Sequence, residues 1–131
     1  MIKHVDIRKN ETLFTDVLIV GGGAAGVAAA HTLAAQNKKV IIVERYGFCG
    51  GGAVAGLSGT ICGMYEASEK LTNKPKQSVF GFTDKFAKMM TEKGGLTEPV
   101  KYGKTYTRVH DPLVWRETAD FFLKNKNITI I

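Results

Sequence analysis

The sequence predicts an α/β fold whose core is a Rossmann-like βαβ unit in a parallel sheet. Three observations predict it. A short apolar run, Asp16-Val17-Leu18-Ile19-Val20, leads directly into Gly21-Gly22-Gly23-Ala24-Ala25-Gly26, which satisfies Gly-x-Gly-x-x-Gly where a strand hands over to a helix. A second apolar run, Lys39-Val40-Ile41-Ile42-Val43, ends on an acid, Glu44, 18 residues beyond Gly26. A third, Ile128-Thr129-Ile130-Ile131, follows a helical stretch and reads as the next buried strand. Strand, glycine turn, helix, strand and terminal acid in that order make a unit for the ADP half of a dinucleotide.

Each part of that unit has a physical task. Gly21 permits a tight turn, Gly23 lets the backbone approach a pyrophosphate, and Gly26 removes a side chain where helix meets sheet. The helix, expected over residues 24–36, presents unpaired N–H groups and the positive end of its dipole to the phosphates. Its small residues Ala25, Gly26, Ala28, Ala29 and Ala30 are expected to permit close packing on the sheet. Glu44 can accept the hydroxyl protons of an adenosine ribose, and its charge would repel a 2′-phosphate, which argues against NADP.

Residues 1–14 read as a polar lead-in with scope for an edge strand. Directly after Glu44 comes a second glycine-rich stretch, Arg45-Tyr46-Gly47-Phe48-Cys49-Gly50-Gly51-Gly52-Ala53-Val54-Ala55-Gly56-Leu57-Ser58-Gly59. A plain NAD domain would proceed into a helix here. So many small residues instead suggest backbone lying against a long, flat ligand. Residues 65–78 turn polar and read as an exposed excursion. Residues 79–93 predict an amphipathic helix, with Phe82, Phe86, Met89 and Met90 as core, ended by Gly94-Gly95. Residues 100–109 alternate around Gly103-Lys104 as a short hairpin. A last helix starts at Asp111 as N-cap with Pro112 in its first position, and runs to about residue 124.

Composition narrows the function classes. The chain has 131 residues, 44% of them hydrophobic, enough for a core. Its net charge of +6 is spread out: residues 1–64 carry six basic and four acidic side chains, residues 65–131 twelve and eight. That interleaving describes a solvated surface and not a nucleic-acid patch. The apolar stretch 17–35 contains four glycines, His31 and Thr32 and fits the nucleotide fold better than a membrane span. The N-terminus lacks a signal-peptide core, and two cysteines make no disulfide scaffold, so a reducing cytoplasm is the expected location.

Residues 16–56 resemble the FAD-dependent oxidoreductase family related in fold to glutathione reductase. The likeness is greatest to its broad bacterial branch, with an E-R-Y-G-F-L-G-G-x-A-T-A-G type of segment. Here that segment is Glu44-Arg45-Tyr46-Gly47-Phe48-Cys49-Gly50-Gly51-Gly52-Ala53-Val54-Ala55-Gly56. The resemblance implies FAD as cofactor. It implies that Gly21, Gly23, Ala24, Ala25 and Gly26 line the FAD pyrophosphate, that Glu44 holds the adenosine ribose, and that Arg45 sits beside the adenine. Gly50, Gly51, Ala53 and Val54 would approach the ribityl stretch and the flavin. Cys49 replaces a usual aliphatic residue and Val54 a common hydroxyl residue, which removes one hydrogen bond available to the cofactor.

The family also implies a longer molecule, with further FAD-domain strands and a substrate domain. A β-branched run at residues 128–131 belongs inside a sheet, yet with it only three convincing sheet strands have appeared. The expectation is therefore a hetero-oligomer in which a second chain completes the FAD and substrate sites. A processed piece and a small domain with a vestigial site are the alternatives. The function expected is hydride transfer between a small organic substrate and FAD; a structural assembly subunit and an NAD domain are the competing readings. No catalytic residue is assigned. Cys49 and Cys62 are 13 residues apart, not a C-x-x-C pair; Cys49 could tune or attach the cofactor, or be a small buried apolar residue. His4, His31 and His110 lack metal-ligand spacing. Tyr102 and Tyr106 could act as proton donors or simply pack in the hairpin, and Trp115 is core or interface.

Overall fold

The structure is a computed structural model that describes residues 12–56, 58–70 and 72–131. In chain order its elements are β1 (Val17–Val20), α1 (Ala24–Ala35), β2 (Val40–Val43), α2 (Gly52–Ala55), β3 (Thr60–Ile61), α3 (Phe82–Glu92), β4 (Val100–Tyr102), β5 (Thr105–Val109), α4 (Pro112–Leu123) and β6 (Ile128–Ile130). They form two compact units, one of residues up to 52 with 119–131, the other of residues 53–118. Most of the lead-in, residues 1–11 with His4, lies outside the described residues; residues 12–15 are irregular.

In the first unit a parallel sheet has the order β1-β2-β6, with Val17 opposite Val40 and Ile42 opposite Ile130. The three apolar runs therefore form one sheet. β2 is central, and Val40, Ile41 and Ile42 are all buried, as a strand with two neighbours and β-branched side chains on both faces should be. Asp16 ties the strand starts together, its carboxylate accepting the Lys39 N–H at 2.7 Å. At the other end the Gly21 N–H donates to the Val43 carbonyl at 2.8 Å, which fixes the glycine turn at the carboxyl edge of the sheet.

Helix α1 packs on β1 and β2 through Val27, Ala30 and Ala34, one stripe at helical spacing. Ala25 and Ala29 are exposed, so they do not take part in that packing. The 3.6-residue period turns them away from the stripe. Asn37, with φ +59°, adopts the left-handed conformation that ends the helix, and asparagine tolerates it better than most residues. His31 is a packing residue: its Nδ1 lies 3.2 Å from the Phe122 carbonyl and its ring meets Phe122 edge-on at 5.0 Å.

The second unit holds an antiparallel sheet of order β3-β5-β4. The hairpin turns at Gly103, with φ +55°, which pairs Tyr102 with Thr105. β3, only two residues long, is too short to leave an alternating pattern in the sequence. α3 begins where the Asp84 carboxylate accepts the Gly81 N–H at 2.9 Å, and ends at Gly94, with φ +72°. Phe86 and Met90 are buried and Phe82 and Met89 half-buried, the core face expected of this helix. Phe86 meets Trp115 at 4.7 Å between ring centres. Asp111 caps α4, its Oδ1 accepting the N–H groups of Leu113 at 2.7 Å and Val114 at 3.2 Å. The excursion over residues 66–76 is exposed where described, but Met64 and Tyr65 at its start are buried, Tyr65 against the Tyr106 ring.

Candidate cofactor site

The site is built in the first unit at the carboxyl ends of β1 and β2. Gly21 takes φ +101°, a conformation L side chains rarely adopt, and this turns the chain from β1 into α1. A Cβ on Gly26 would lie 2.1 Å from the Gly21 carbonyl oxygen, so the third glycine is required by the turn itself. Gly23 is the N-cap of α1, with no side-chain cap and no acid in the first helical turn. The first N–H groups of α1 thus have no side-chain cap and no acid of their own turn, and Ala24 and Ala25 beside them are exposed. A Cβ on Gly23 would meet nothing nearer than Gly51 Cα at 3.9 Å, so the glycine turn leaves open backbone.

The second glycine stretch docks on the first. The Gly50 N–H donates to the Gly22 carbonyl at 2.8 Å. Gly51, at φ +60°, comes so close that a Cβ there would lie 2.8 Å from Gly23 Cα. Two segments more than twenty residues apart in sequence thus form one backbone surface at the head of α1. Gly50 and Gly51 thus lie directly beside Gly22 and Gly23 of the first turn. Ala53 and Val54 lie in the short helix α2 and belong to the second unit, where both are half-buried.

Glu44 uses both carboxylate oxygens. Oε2 accepts the Gly22 N–H at 2.6 Å and Oε1 accepts the Tyr46 N–H at 3.0 Å. The acid therefore braces the turn, and a carboxylate has lone pairs left for further donors. Arg45 is exposed; its Nη2 donates to the Tyr46 hydroxyl at 2.6 Å, and its guanidinium carbon is 4.7 Å from the Tyr46 ring centre. That hydrogen bond foremost, then the electrostatics of Tyr46 and Glu44, raises the Arg45 pKa above its ordinary value.

One feature of the site was not read from the sequence. Gly22, an "x" of the motif, is itself constrained, because a Cβ there would lie 2.5 Å from Cys49 Sγ and 3.2 Å from Glu44 Oε2. The run of three glycines was the available signal. Cys49 is buried under the turn, and burial foremost, then the Glu44 and Asp120 charges, push its thiol up to about 11. It is a protonated packing residue, and both cysteines are free. In the second unit, apart from this site, His110 was also missed. It is buried in the second unit, its Nε2 3.1 Å from the Ala53 carbonyl, which assigns the proton to Nε2. Its Nδ1 has no partner among the described residues.

Other candidates resolve simply. Tyr106 is buried with its hydroxyl on the Thr72 carbonyl, Tyr102 is exposed, and Trp115 is core. Among the described residues no cluster of His, Cys, Asp or Glu could hold a metal, and no helix is long and apolar enough to cross a membrane.

Known proteins decide between dinucleotides. A family model described as FAD dependent oxidoreductase matches residues 16–131. The chain belongs to the FAD-dependent oxidoreductase family. FAD is accordingly the cofactor, and the open glycine turn, the acid-free helix start and Glu44 fit its ADP half. The chain is 47% identical over 45 residues to 4-oxocyclohex-2-ene-1-carboxylate 5-dehydrogenase of Sinomonas cyclohexanicum, a stretch covering 34% of this chain and 8% of that protein. It is 43% identical over 54 residues to cinnamate reductase of Clostridium sporogenes, covering 41% of this chain and 8% of that one. The chain thus matches only a small part of the length of these relatives. The crystal structure of THI4 from Thermovibrio ammonificans superposes with a TM-score of 0.51 at 23% identity, over 89% of this chain and 38% of that one, which shows a shared fold.

Proposed function

We propose that this chain is the FAD-binding part of an oxidoreductase that moves a hydride between a small organic substrate and FAD, its site completed by a second chain. The observation that carries this is the joined glycine surface: Gly50 and Gly51 held on Gly22 and Gly23, beside the Glu44 carboxylate. The bound flavin supplies the hydride chemistry. The chain's own groups bind and orient. The α1 N–H groups and the Gly21–Gly26 turn take the pyrophosphate, Glu44 takes the ribose hydroxyls while bracing Gly22, and Gly50 and Gly51 let the cofactor pass close to backbone.

The completing partner is supported by β1. It has one strand neighbour among the described residues, and Leu18 and Val20, on one face of it, are 58% and 82% exposed. An unpaired, apolar parallel strand is a site for another strand. The relatives' dehydrogenase and reductase activities fit an oxidoreductase, and they leave the substrate to the parts that this chain does not match.

The test is native mass spectrometry of the purified assembly, followed by denaturation. One FAD per pair of unlike chains is the expected result. Stoichiometric FAD on the isolated monomer would overturn the completion, and a flavin-free assembly would overturn the cofactor role. Glu44→Ala is a poor probe alone, since it also strands the Gly22 N–H; Glu44→Gln keeps an acceptor there. That variant should weaken FAD binding by about tenfold, the scale of one hydrogen bond to a charged group.

A further inference from the structure

This inference rests on the FAD reading above and concerns the adenine end of that site. An exposed arginine ordinarily samples many rotamers, and a ligand that stacks on it must supply the free energy of ordering it. Arg45 is exposed, yet it leans on the next side chain. Its Nη2 donates to the Tyr46 hydroxyl at 2.6 Å, and its guanidinium carbon lies 4.7 Å from the Tyr46 ring centre, within the cation–π range of about 6 Å. Tyr46 is held in turn. Its ring stacks on Phe48 at 5.4 Å between centres and 9° between planes, and its backbone N–H donates to Glu44 Oε1 at 3.0 Å.

Ion pairing does not explain the placement of Arg45. Among the described residues no acid lies within ion-pair distance of it, because Glu44 has turned its oxygens to Gly22 and Tyr46. Core packing does not explain it either: Tyr46 is 43% exposed. Contacts among exposed side chains contribute little to fold stability. What they do make is a flat, cationic, π-rich surface directly after Glu44. A purine base has the matching shape and electron distribution.

We propose that Tyr46, with Phe48 stacked against it, is a positioning residue: it holds the Arg45 guanidinium as an ordered platform on which the adenine of FAD stacks beside Glu44. The platform is in place before the adenylate arrives and so favours FAD over flavins that lack it. Tyr46 acts through Arg45 and does not itself carry the adenine.

The experiment is a fluorescence titration of the flavin-stripped complete assembly with FAD and with FMN, which lacks the adenylate, for the wild type, Tyr46→Phe and Tyr46→Leu. Tyr46→Leu should weaken FAD about fivefold and leave FMN unchanged, while Tyr46→Phe, which keeps the ring and loses the hydroxyl, should fall between. FAD and FMN weakened alike would mean a general structural role, and FAD unchanged would mean no role; either overturns the proposal. A wild type that binds FAD no better than FMN would remove the ADP-binding reading itself, and this inference with it.

Discussion

Gly22 and Cys49 show how a single residue pair shapes the cofactor turn. The backbone at Gly22 is not in the left-handed region, so any residue could adopt it; space alone forbids a side chain, with Cys49 Sγ 2.5 Å from where a Cβ would lie. Gly22→Ala should therefore destabilise the protein by about 1–3 kcal/mol in urea denaturation, the usual cost of overpacking. Adding Cys49→Ala should return part of that loss, since the sulfur is the nearest obstacle while Glu44 Oε2 at 3.2 Å remains. No recovery in the double variant would mean that Glu44 sets the limit. Cys49 also has a pH consequence. Its folded pKa, about 11, stands above its ordinary 9.0. Between these values the unfolded chain has lost the thiol proton and the folded one has kept it, so stability falls as pH rises from about 9 to about 11. The loss is on the order of 2 kcal/mol and should vanish in Cys49→Ala. At neutral pH, native alkylation followed by mass mapping should label the exposed Cys62 and spare Cys49.

At the scale of elements, local signals and element boundaries agree well. Asp111-Pro112 announces α4, and both the cap and the first position are observed. Asp111→Ala removes the acceptor for two N–H groups and should cost about 1 kcal/mol, read as a lowered denaturation midpoint, whereas Asp111→Asn should cost much less. The hairpin at Gly103 and the end of α3 at Gly94 were legible for the same reason: positive φ selects glycine. α1 was legible in extent but not in facing. Its run of small residues suggested a broad contact, yet Val27, Ala30 and Ala34 make the buried stripe and Ala25 and Ala29 face out. β3 and α2 were not foreseen, being two and four residues long. Elements that short are set by their neighbours: Thr60 and Ile61 pair with Val109 and Arg108, while Ala53 in α2 offers its carbonyl to His110.

At the scale of the whole molecule, sheet order carries the main consequence. β2 lies between two parallel neighbours and is buried, whereas β1 has a free edge among the described residues. Hydrogen exchange should find the β2 amides slow and the outward amides of β1 fast in this chain alone. If the proposed second chain adds a strand there, the β1 amides should become slow in its presence. Unchanged exchange at β1 on assembly would place the partner elsewhere.

The sequence by itself determined the βαβ unit, the helix ends and the acid at Glu44, because these depend on hydrophobic period, positive-φ glycines and near-neighbour hydrogen bonds. It also led to the expectation that both glycine-rich stretches lie against a ligand. Only the tertiary structure decided that Gly50 and Gly51 close onto Gly22 and Gly23, that Glu44 braces the turn, that Cys49 is buried beneath it, and that Arg45 leans on Tyr46. Those are contacts between residues or side-chain rotamers chosen by packing in three dimensions. Glycine leaves no side-chain pattern to say what it will touch, so the sequence could show that close approach was possible but not which backbone would make it.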